Sequence, residues 1–254
     1  MPLADYEGWM ATAYDGGRAL SPQAEAAWAA AATPWLGAAG GGPVVDLGAG
    51  TGRFAGLLAA WSGGPVVAVE PTAAMAERAA AKGLQSVAVV RGGAEAVPLA
   101  DRSVRAVWMS QVVHHVDDRD RAAAELARVL RPGGHVLLRG EFAEEPDDAG
   151  PANALYHYFP AAAALTALLP TRREVTDTLA AAGLAPVHHE AVDQVTCSGL
   201  RDLHARMATR ADSLLARIDD ADFDAGLAAL ARDAAAETRP QPVIDRLRLL
   251  VFRA

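Results

Sequence analysis

The sequence predicts an α/β fold, a parallel sheet covered by helices on both faces. Three observations carry the prediction. Short β-branched apolar runs alternate with helical stretches at a spacing that suits strand–helix–strand units. The first run, in Pro43–Leu47, bears Asp46 near its end and opens into Gly48-Ala49-Gly50-Thr51-Gly52, a turn feeding the helical stretch Arg53–Ala60. The second run, Pro65–Val69, is followed at once by Glu70.

In order along the chain, residues 1–42 precede the sheet. Ser21 and Pro22 form a helix start, an N-cap followed by proline at the first helical position. Trp28, Ala31 and Trp35 follow at near-helical spacing and face the core. After the second strand, Thr72 is placed to cap the helix Ala73–Lys82, and Gly83 ends it. Ser86–Val90 and Val104–Met109 read as strands three and four, the latter leaving through Ser110-Gln111-Val112-Val113-His114-His115. Arg119–Arg131 is an amphipathic helix stopped by Pro132-Gly133-Gly134, and His135–Arg139 is the fifth strand. Thr171 and Glu174 make a capping box for a helix that Gly183 closes, and Ala185–Val195 is a sixth strand. Apolar residues from Leu200 to Ile218 recur at three-and-four spacing, so 199–218 reads as one amphipathic helix. A helix over Phe223–Glu237 and a strand over Val243–Phe252 complete the chain.

The formal charge of −8 and the pI near 5.3 argue against a protein that tracks nucleic-acid phosphates. A single cysteine, Cys197, forms no internal disulfide and fits a reducing compartment. No apolar run is long enough to span a bilayer, and the start lacks the layout of a signal peptide, so the expectation is a cytoplasmic protein without membrane contact.

The glycine turn and the acid after the next strand suit a ligand with ribose hydroxyls, held where the first helix presents unpaired N–H groups. A nicotinamide fingerprint requires the order G-x-G-x-x-G, and Arg53 occupies the place of its third glycine. The G-x-G-x-G turn behind Asp46 instead resembles motif I of the class I S-adenosylmethionine-dependent methyltransferases of small molecules. The likeness extends over nearly the whole chain, through "VVDLGAGTGRF", "VVAVEP", "GGAEAVPLADRSVRAVWMSQVVHHV" and "AAAELARVLRPGGHVLLRGEF". It implies a Rossmann-like, seven-stranded, mostly parallel sheet with an antiparallel last strand. It also implies a single domain over 1–254: a helical segment 1–42 over the cofactor, a core of 43–198 and 238–254, and a helical cap insertion at 199–237.

Carried over residue by residue, the resemblance puts Asp46 near the amino end of S-adenosyl-L-methionine. Gly48, Ala49 and Gly50 line its methionine portion, and Glu70, with Pro71 beside it, takes the ribose hydroxyls. Met75 and the loop Gly93-Ala94-Glu95 flank the adenine. Relatives often carry Asp or Thr where this chain has Gly93, which leaves the adenine amino group to Glu95 or the Ala94 backbone. Tyr14 and Arg18 join the cofactor site because this segment folds over it in relatives.

Ligands of open parallel sheets sit beyond the carboxyl ends of the strands. That rule selects Gln111, assigned to the cofactor, and His114 and His115 after the fourth strand. It selects Arg139, Glu141 and Phe142 on the substrate side after the fifth. Tyr156 and Tyr158 could wall an aromatic pocket. His115 is the first candidate for a base, followed by His114 and then Tyr14, if the acceptor keeps its proton at neutral pH. Adjacent histidines are poor ligands for Mg²⁺ and Asp117-Asp118 serve equally as a helix start, so no metal is assigned. The function expected is methyl transfer to O, N or C of a small molecule, secondary metabolism being one setting. The alternatives are a cofactor-binding scaffold that catalyses a rearrangement without methylating, and a nicotinamide oxidoreductase, which Arg53 disfavours. Neither the acceptor nor the oligomeric state is readable from the residues.

Overall fold

The computed structural model describes residues 20–37, 41–143 and 154–254. Tyr14 and Arg18 lie outside them. Seven strands, β1 (Val44–Leu47), β2 (Val66–Glu70), β3 (Val87–Arg91), β4 (Val104–Ser110), β5 (Leu130–Gly140), β6 (Ala185–Cys197) and β7 (Val243–Arg253), form one sheet in the order β3-β2-β1-β4-β5-β7-β6. β1 to β5 pair in parallel, and β7 runs antiparallel between β5 and β6. The chain builds outward from β1 through β2 to β3, then returns to lay β4 against the other side of β1. The crevice at that reversal is where an open parallel sheet takes its ligands.

Helix α1 (Pro22–Leu36) starts as expected. Ser21 Oγ accepts from Ala24 N (3.1 Å) and donates to Val195 O (2.6 Å), which ties the helix to β6. Trp28, Ala32 and Leu36 pack with α2 (Ala55–Ser62) on one sheet face, against Val44, Val66, Ala68, Ala106, Trp108, Leu137 and Val251. The opposite face is covered by α4 (Arg119–Val129) and α7 (Arg172–Ala181). Leu126, Val129, Val175 and Leu179 lie there over Val45, Leu47, Val107, Met109, Val136, Leu138 and Phe252. Between these helices in sequence come α3 (Ala73–Ala81), α5 (Ala154–Tyr158) and α6 (Pro160–Ala164). The two-sided covering explains the unbroken apolar strands: each must satisfy a helix above and a helix below.

A third apolar cluster stands apart from the sheet. The segment between β6 and β7 contains α8 (Leu200–Met207) and α9 (Asp220–Ala236). Its Leu203, Met207, Leu215, Ile218, Phe223 and Leu230 pack with Leu155, Tyr158, Phe159 and Ala162 of α5 and α6. The expected single helix over 199–218 is broken in the structure. α8 stops at Met207, where Thr209 Oγ1 donates to Arg206 O (2.7 Å) and Arg210 takes a left-handed backbone (φ 52°). Asp212 Oδ1 then accepts from Leu214 N (2.8 Å) to start a 3₁₀ turn at Leu215–Arg217. The apolar spacing persists because both pieces bury their leucines in the same cluster.

Other boundaries shift for local reasons. β5 begins at Leu130, which already pairs with Val104 of β4 before Gly133 turns at positive φ (79°), and α2 begins at Ala55 because residues 50–54 remain in the turn. Thr72 stands at the N-cap of α3 without a side-chain cap bond; its N–H donates to Glu70 Oε1 instead (2.9 Å). The capping box at Thr171 and Glu174 is present as expected. Asp118 Oδ1 accepts from Arg121 N (2.9 Å), so that aspartate opens α4. Among the described residues no helix is long and apolar enough to cross a membrane, and no group of three or more His, Cys, Asp or Glu could hold a metal ion.

Candidate functional site

The glycine turn is held from below by the second strand. Gly48 N and Ala49 N both donate to Val69 O (2.8 and 3.1 Å), so the chain must reverse immediately after Leu47. Gly48, Gly50 and Gly52 all take positive φ (74°, 57° and 78°), a conformation that L side chains rarely adopt. At Gly48 space closes the case: a Cβ there would stand 2.5 Å from Val112 Cγ2. Val112 belongs to the loop leaving β4, so the turn after β1 and the loop after β4 meet at the reversal point of the sheet.

Two carboxylates flank this turn. Glu70, 5% exposed at the end of β2, accepts from Gly50 N through Oε2 (2.8 Å) and from Thr72 N through Oε1 (2.9 Å). It is thereby pinned beside the turn, and each oxygen keeps a second lone pair for a hydroxyl donor. Asp46, 2% exposed, has a buried Oδ2 with no hydrogen-bond partner. Burial pushes its carboxyl up to about 7; the Arg53 charge opposes the shift and the Glu70 charge adds to it. A buried, unmatched carboxylate oxygen is a place for a cationic donor. An α-ammonium group over Asp46 and a diol against Glu70 therefore match the donors and acceptors present.

The remaining expected cofactor residues ring the same end of the sheet. Met75 is buried on α3, and Pro71 O accepts from Arg91 Nη2 (2.7 Å). Gly93 bridges to Ala96, Ala94 is buried, and Glu95 Oε1 accepts from Asp117 N (3.2 Å), linking this loop to the one after β4. Space does not require glycine at position 93, where a Cβ would stand 3.5 Å from Glu95 Oε2, an ordinary contact. Gln111 takes a left-handed backbone (φ 59°), donates its N–H to Arg139 O (2.7 Å) and accepts from Glu141 N at Oε1 (3.2 Å). Gly140 allows that approach: a Cβ there would lie 3.1 Å from the same Oε1. His114 and His115 sit on the 3₁₀ turn Val113–His115, half-buried, with ring centres 4.1 Å apart.

Beyond β4 and β5 lies a cavity of about 70 Å³, partly open to solvent, between the sheet and residues 199–218. Arg53, Gln111, Arg139, Glu141 and Tyr156 line it on the sheet side. Phe142 and Tyr158 do not. Phe142 is buried in the core under α7, and Tyr158 Oη donates to Asp233 Oδ2 of α9 (3.0 Å). His114 and His115 are likewise absent from the wall. Arg139, 3% exposed, stacks over Trp28 and Phe54 (4.6 and 5.1 Å to the ring centres) and donates to Ser110 Oγ (2.9 Å) and Gln194 Oε1 (2.5 Å). Gln194 also accepts from Trp28 Nε1 (3.0 Å), and Thr196 Oγ1 donates to Asp245 Oδ2 (2.6 Å). Tyr156 Oη donates to Glu141 Oε2 (2.6 Å).

Sequence reasoning missed Gln194, Thr196, Arg206, Asp212 and Asp245, all on this wall. The signal for three of them was strand alternation. Val192, Gln194 and Thr196 share one face of β6, and Val243, Asp245, Leu247 and Leu249 share one face of β7, with Gln194 opposite Asp245. Polar residues on an otherwise buried face mark where that face leaves the core. Arg206 and Asp212 had no such signal, because the break in the helix that positions them is not visible in the periodicity.

Residues 45–138 match the model of the methyltransferase domain family. An uncharacterized methyltransferase of Mycobacterium tuberculosis is 44% identical over 126 residues, 50% of this chain and 48% of that protein. A dimethylglycine N-methyltransferase of Parasynechococcus marenigrum is 36% identical over 115 residues, 43% of this chain and 41% of that one. The chain thus matches about half the length of the curated relatives, or less. Among solved structures, the [4+2]-cyclase SpnF shares the fold with TM-score 0.61 and 22% identity, covering 93% of this chain and 83% of that one. A geranyl diphosphate methyltransferase with its substrate and sinefungin gives TM-score 0.56 and 20% identity, covering 90% and 78%. Over residues 45–138 the chain is similar to the methyltransferase domain family, and its sheet order and its glycine turn between Asp46 and Glu70 agree with that likeness.

Proposed function

We propose that the protein binds S-adenosyl-L-methionine at the turn after β1 and transfers its methyl group to a small molecule held in the polar cavity. The observation that carries this reading is the buried, unpartnered Oδ2 of Asp46 facing a turn whose other flank is the pinned carboxylate of Glu70. When bound, the cofactor supplies an electrophilic methyl group on a sulfonium. The chain's own part is positioning. Asp46 receives the amino end, Glu70 the ribose hydroxyls, and Met75 with Gly93, Ala94 and Glu95 borders the adenine. In-line transfer needs near-attack geometry more than it needs acid–base help, and geometry of this kind contributes up to about 7–11 kcal/mol.

Glu141, on the cavity wall, is the first candidate to take a proton from an acceptor that carries one, and His115, which does not line the cavity, is the second. His115 stands on the turn beside Val112, which packs against Gly48; Glu141 stands on the cavity wall under Tyr156. Replacing each separately by alanine and glutamine, and following single-turnover methylation, assigns the role to one of them. Titration with S-adenosylhomocysteine tests the binding half of the proposal, and formation of S-adenosylhomocysteine from S-adenosylmethionine tests the transfer half. The likeness to SpnF supports a second reading, a scaffold that promotes a rearrangement without methyl transfer. Binding of S-adenosylhomocysteine without turnover of S-adenosylmethionine on any acceptor would favour it.

A further inference from the structure

The cavity of about 70 Å³ has room for a few water molecules, whereas pockets that take a small organic ligand run to roughly 300–1,000 Å³. An acceptor therefore enters only if one wall moves. One wall is the sheet, where Gln194 and Asp245 lie on the paired strands β6 and β7 and are fixed by their ladder. The other carries Leu203 and Met207 of α8 and Leu215 beyond it. These three belong to the third apolar cluster, which has a core of its own with Phe223 and Leu230 of α9. Arg201 Nε donates to Ala234 O (3.3 Å) and Arg210 Nη1 to Asp220 Oδ1 (2.6 Å), so α8 and α9 are braced to each other.

This segment leaves the sheet after Cys197 and returns at Val243, and those two residues pair at the end of the β6–β7 ladder. Its two connections thus run side by side as a neck. One carboxylate fastens the neck. Glu237, at the C-cap of α9, accepts from Leu200 N through Oε2 (3.1 Å) and from Gln241 N through Oε1 (3.4 Å). The first bond caps α8, whose own N-cap residue, Gly199, has no side chain to offer; the second holds the outgoing chain. Gly199 permits the approach, since a Cβ there would stand 2.9 Å from both Glu237 Oε2 and Pro240 Cβ.

We propose that residues 199–237 are a lid that rocks on this neck to admit the acceptor, and that Glu237 is the positioning residue that holds it closed. This rests on the methyl-transfer reading, which puts the acceptor in that cavity. Rocking requires backbone rotation at residues 198–199 and 238–242, between the ladder and the braced helices. Glu237 ties the two connections to each other and to Gln241, so neither turns alone while both bonds are made. Opening gives up the Gln241 bond, and closing restores it. Cys197, the chain's one cysteine, reports the motion: it is 7% exposed and lies on the sheet side of the neck, packed into the lid's cluster.

The test follows alkylation of Cys197 by iodoacetamide in the full chain, with amide hydrogen exchange read by mass spectrometry on the same proteins. The labelling rate tracks the population of the open lid. Glu237→Ala should raise it at least tenfold, the loss expected for hydrogen bonds to a charged acceptor, and should speed exchange across 199–237. Exchange in β1 and β4 should stay within twofold of the parent. Glu237→Gln, which keeps one acceptor oxygen, should label at an intermediate rate. Gly199→Ala, which wedges the neck apart and leaves the carboxylate in place, should also label faster than the parent. Labelling of Glu237→Ala at the parent's rate overturns the proposal. So does an acceleration that extends equally to β1 and β4, since the whole sheet would then be loosening. S-adenosylhomocysteine binding is measured separately by calorimetry: its absence defeats the methyl-transfer reading, while the labelling result still decides the lid.

Discussion

Replacing Asp46 by asparagine removes a carboxyl that the folded chain buries with one oxygen, Oδ2, unpartnered. Burial lifts this carboxyl from 3.8 to about 7, so ionising it in place costs on the order of 4 kcal/mol. The sign follows from proton counting. Between those two values the unfolded chain has lost its proton and the folded chain still holds one, so stability falls as pH rises from about 4 to about 7 and then levels off. An asparagine side chain cannot ionise, and the variant should lose that slope. Its amide nitrogen meets the same lack of partners, which costs about 1–3 kcal/mol and leaves a net gain of similar size above pH 7. For a chain of this length, that is a Tm higher by several degrees. The assay is urea or thermal unfolding of both proteins at intervals from pH 4 to pH 8. Identical pH profiles would refute the assignment of a buried, unmatched acid. The same charge predicts that S-adenosylhomocysteine, arriving with its ammonium, drives a proton off Asp46 near pH 6.5. Calorimetry in buffers of different ionisation enthalpy should show that release with the parent and not with Asp46→Asn.

Glu70→Ala should weaken S-adenosylhomocysteine binding at least tenfold while leaving the circular dichroism spectrum unchanged, since hydrogen bonds to a charged acceptor contribute about 1.5–3 kcal/mol; unaltered affinity by calorimetry would remove Glu70 from the site. Gly48→Ala forces a side chain into positive φ and to 2.5 Å from Val112, so the loop 111–115 must move; cofactor binding and turnover should fall together, measured by calorimetry and single-turnover assay. A Cβ at Gly226 would stand 2.5 Å from Phe159 Cδ1 and 2.6 Å from Tyr158 O. Gly226→Ala should therefore loosen α9 from α5 and α6 at a cost of about 1–3 kcal/mol. Its acceptor KM should rise while S-adenosylhomocysteine affinity holds, and a loss of both would show that residues 199–237 support the sheet itself.

Much of this architecture was legible because the strands repeat one physical requirement. Runs such as Val66–Val69 must be apolar on both sides, and the glycine turn must take positive φ, so both leave local marks in the residues. Ser21, Thr171 and Gly83 marked helix ends for the same reason: capping acts over three or four residues. Long-range matches left no such marks. Gln194 and Asp245 lie opposite each other only once β6 and β7 pair, and Arg139 reveals itself as part of the wall only when Trp28 and Phe54 close on it. The break after Met207 was hidden because residues 200–218 keep helical spacing while Arg210 turns the chain. Phe142, chosen from its place after β5, points into the core because position within a loop does not fix the face a side chain takes.

The most direct test of the account is a calorimetric titration of the full chain with S-adenosylhomocysteine at pH 6.5, run beside Asp46→Asn and Glu70→Ala. The account predicts one-to-one binding to the parent with proton release, binding without that release to Asp46→Asn, and binding at least tenfold weaker to Glu70→Ala. Absence of binding to the parent, or equal binding by all three proteins with equal proton release, would contradict it.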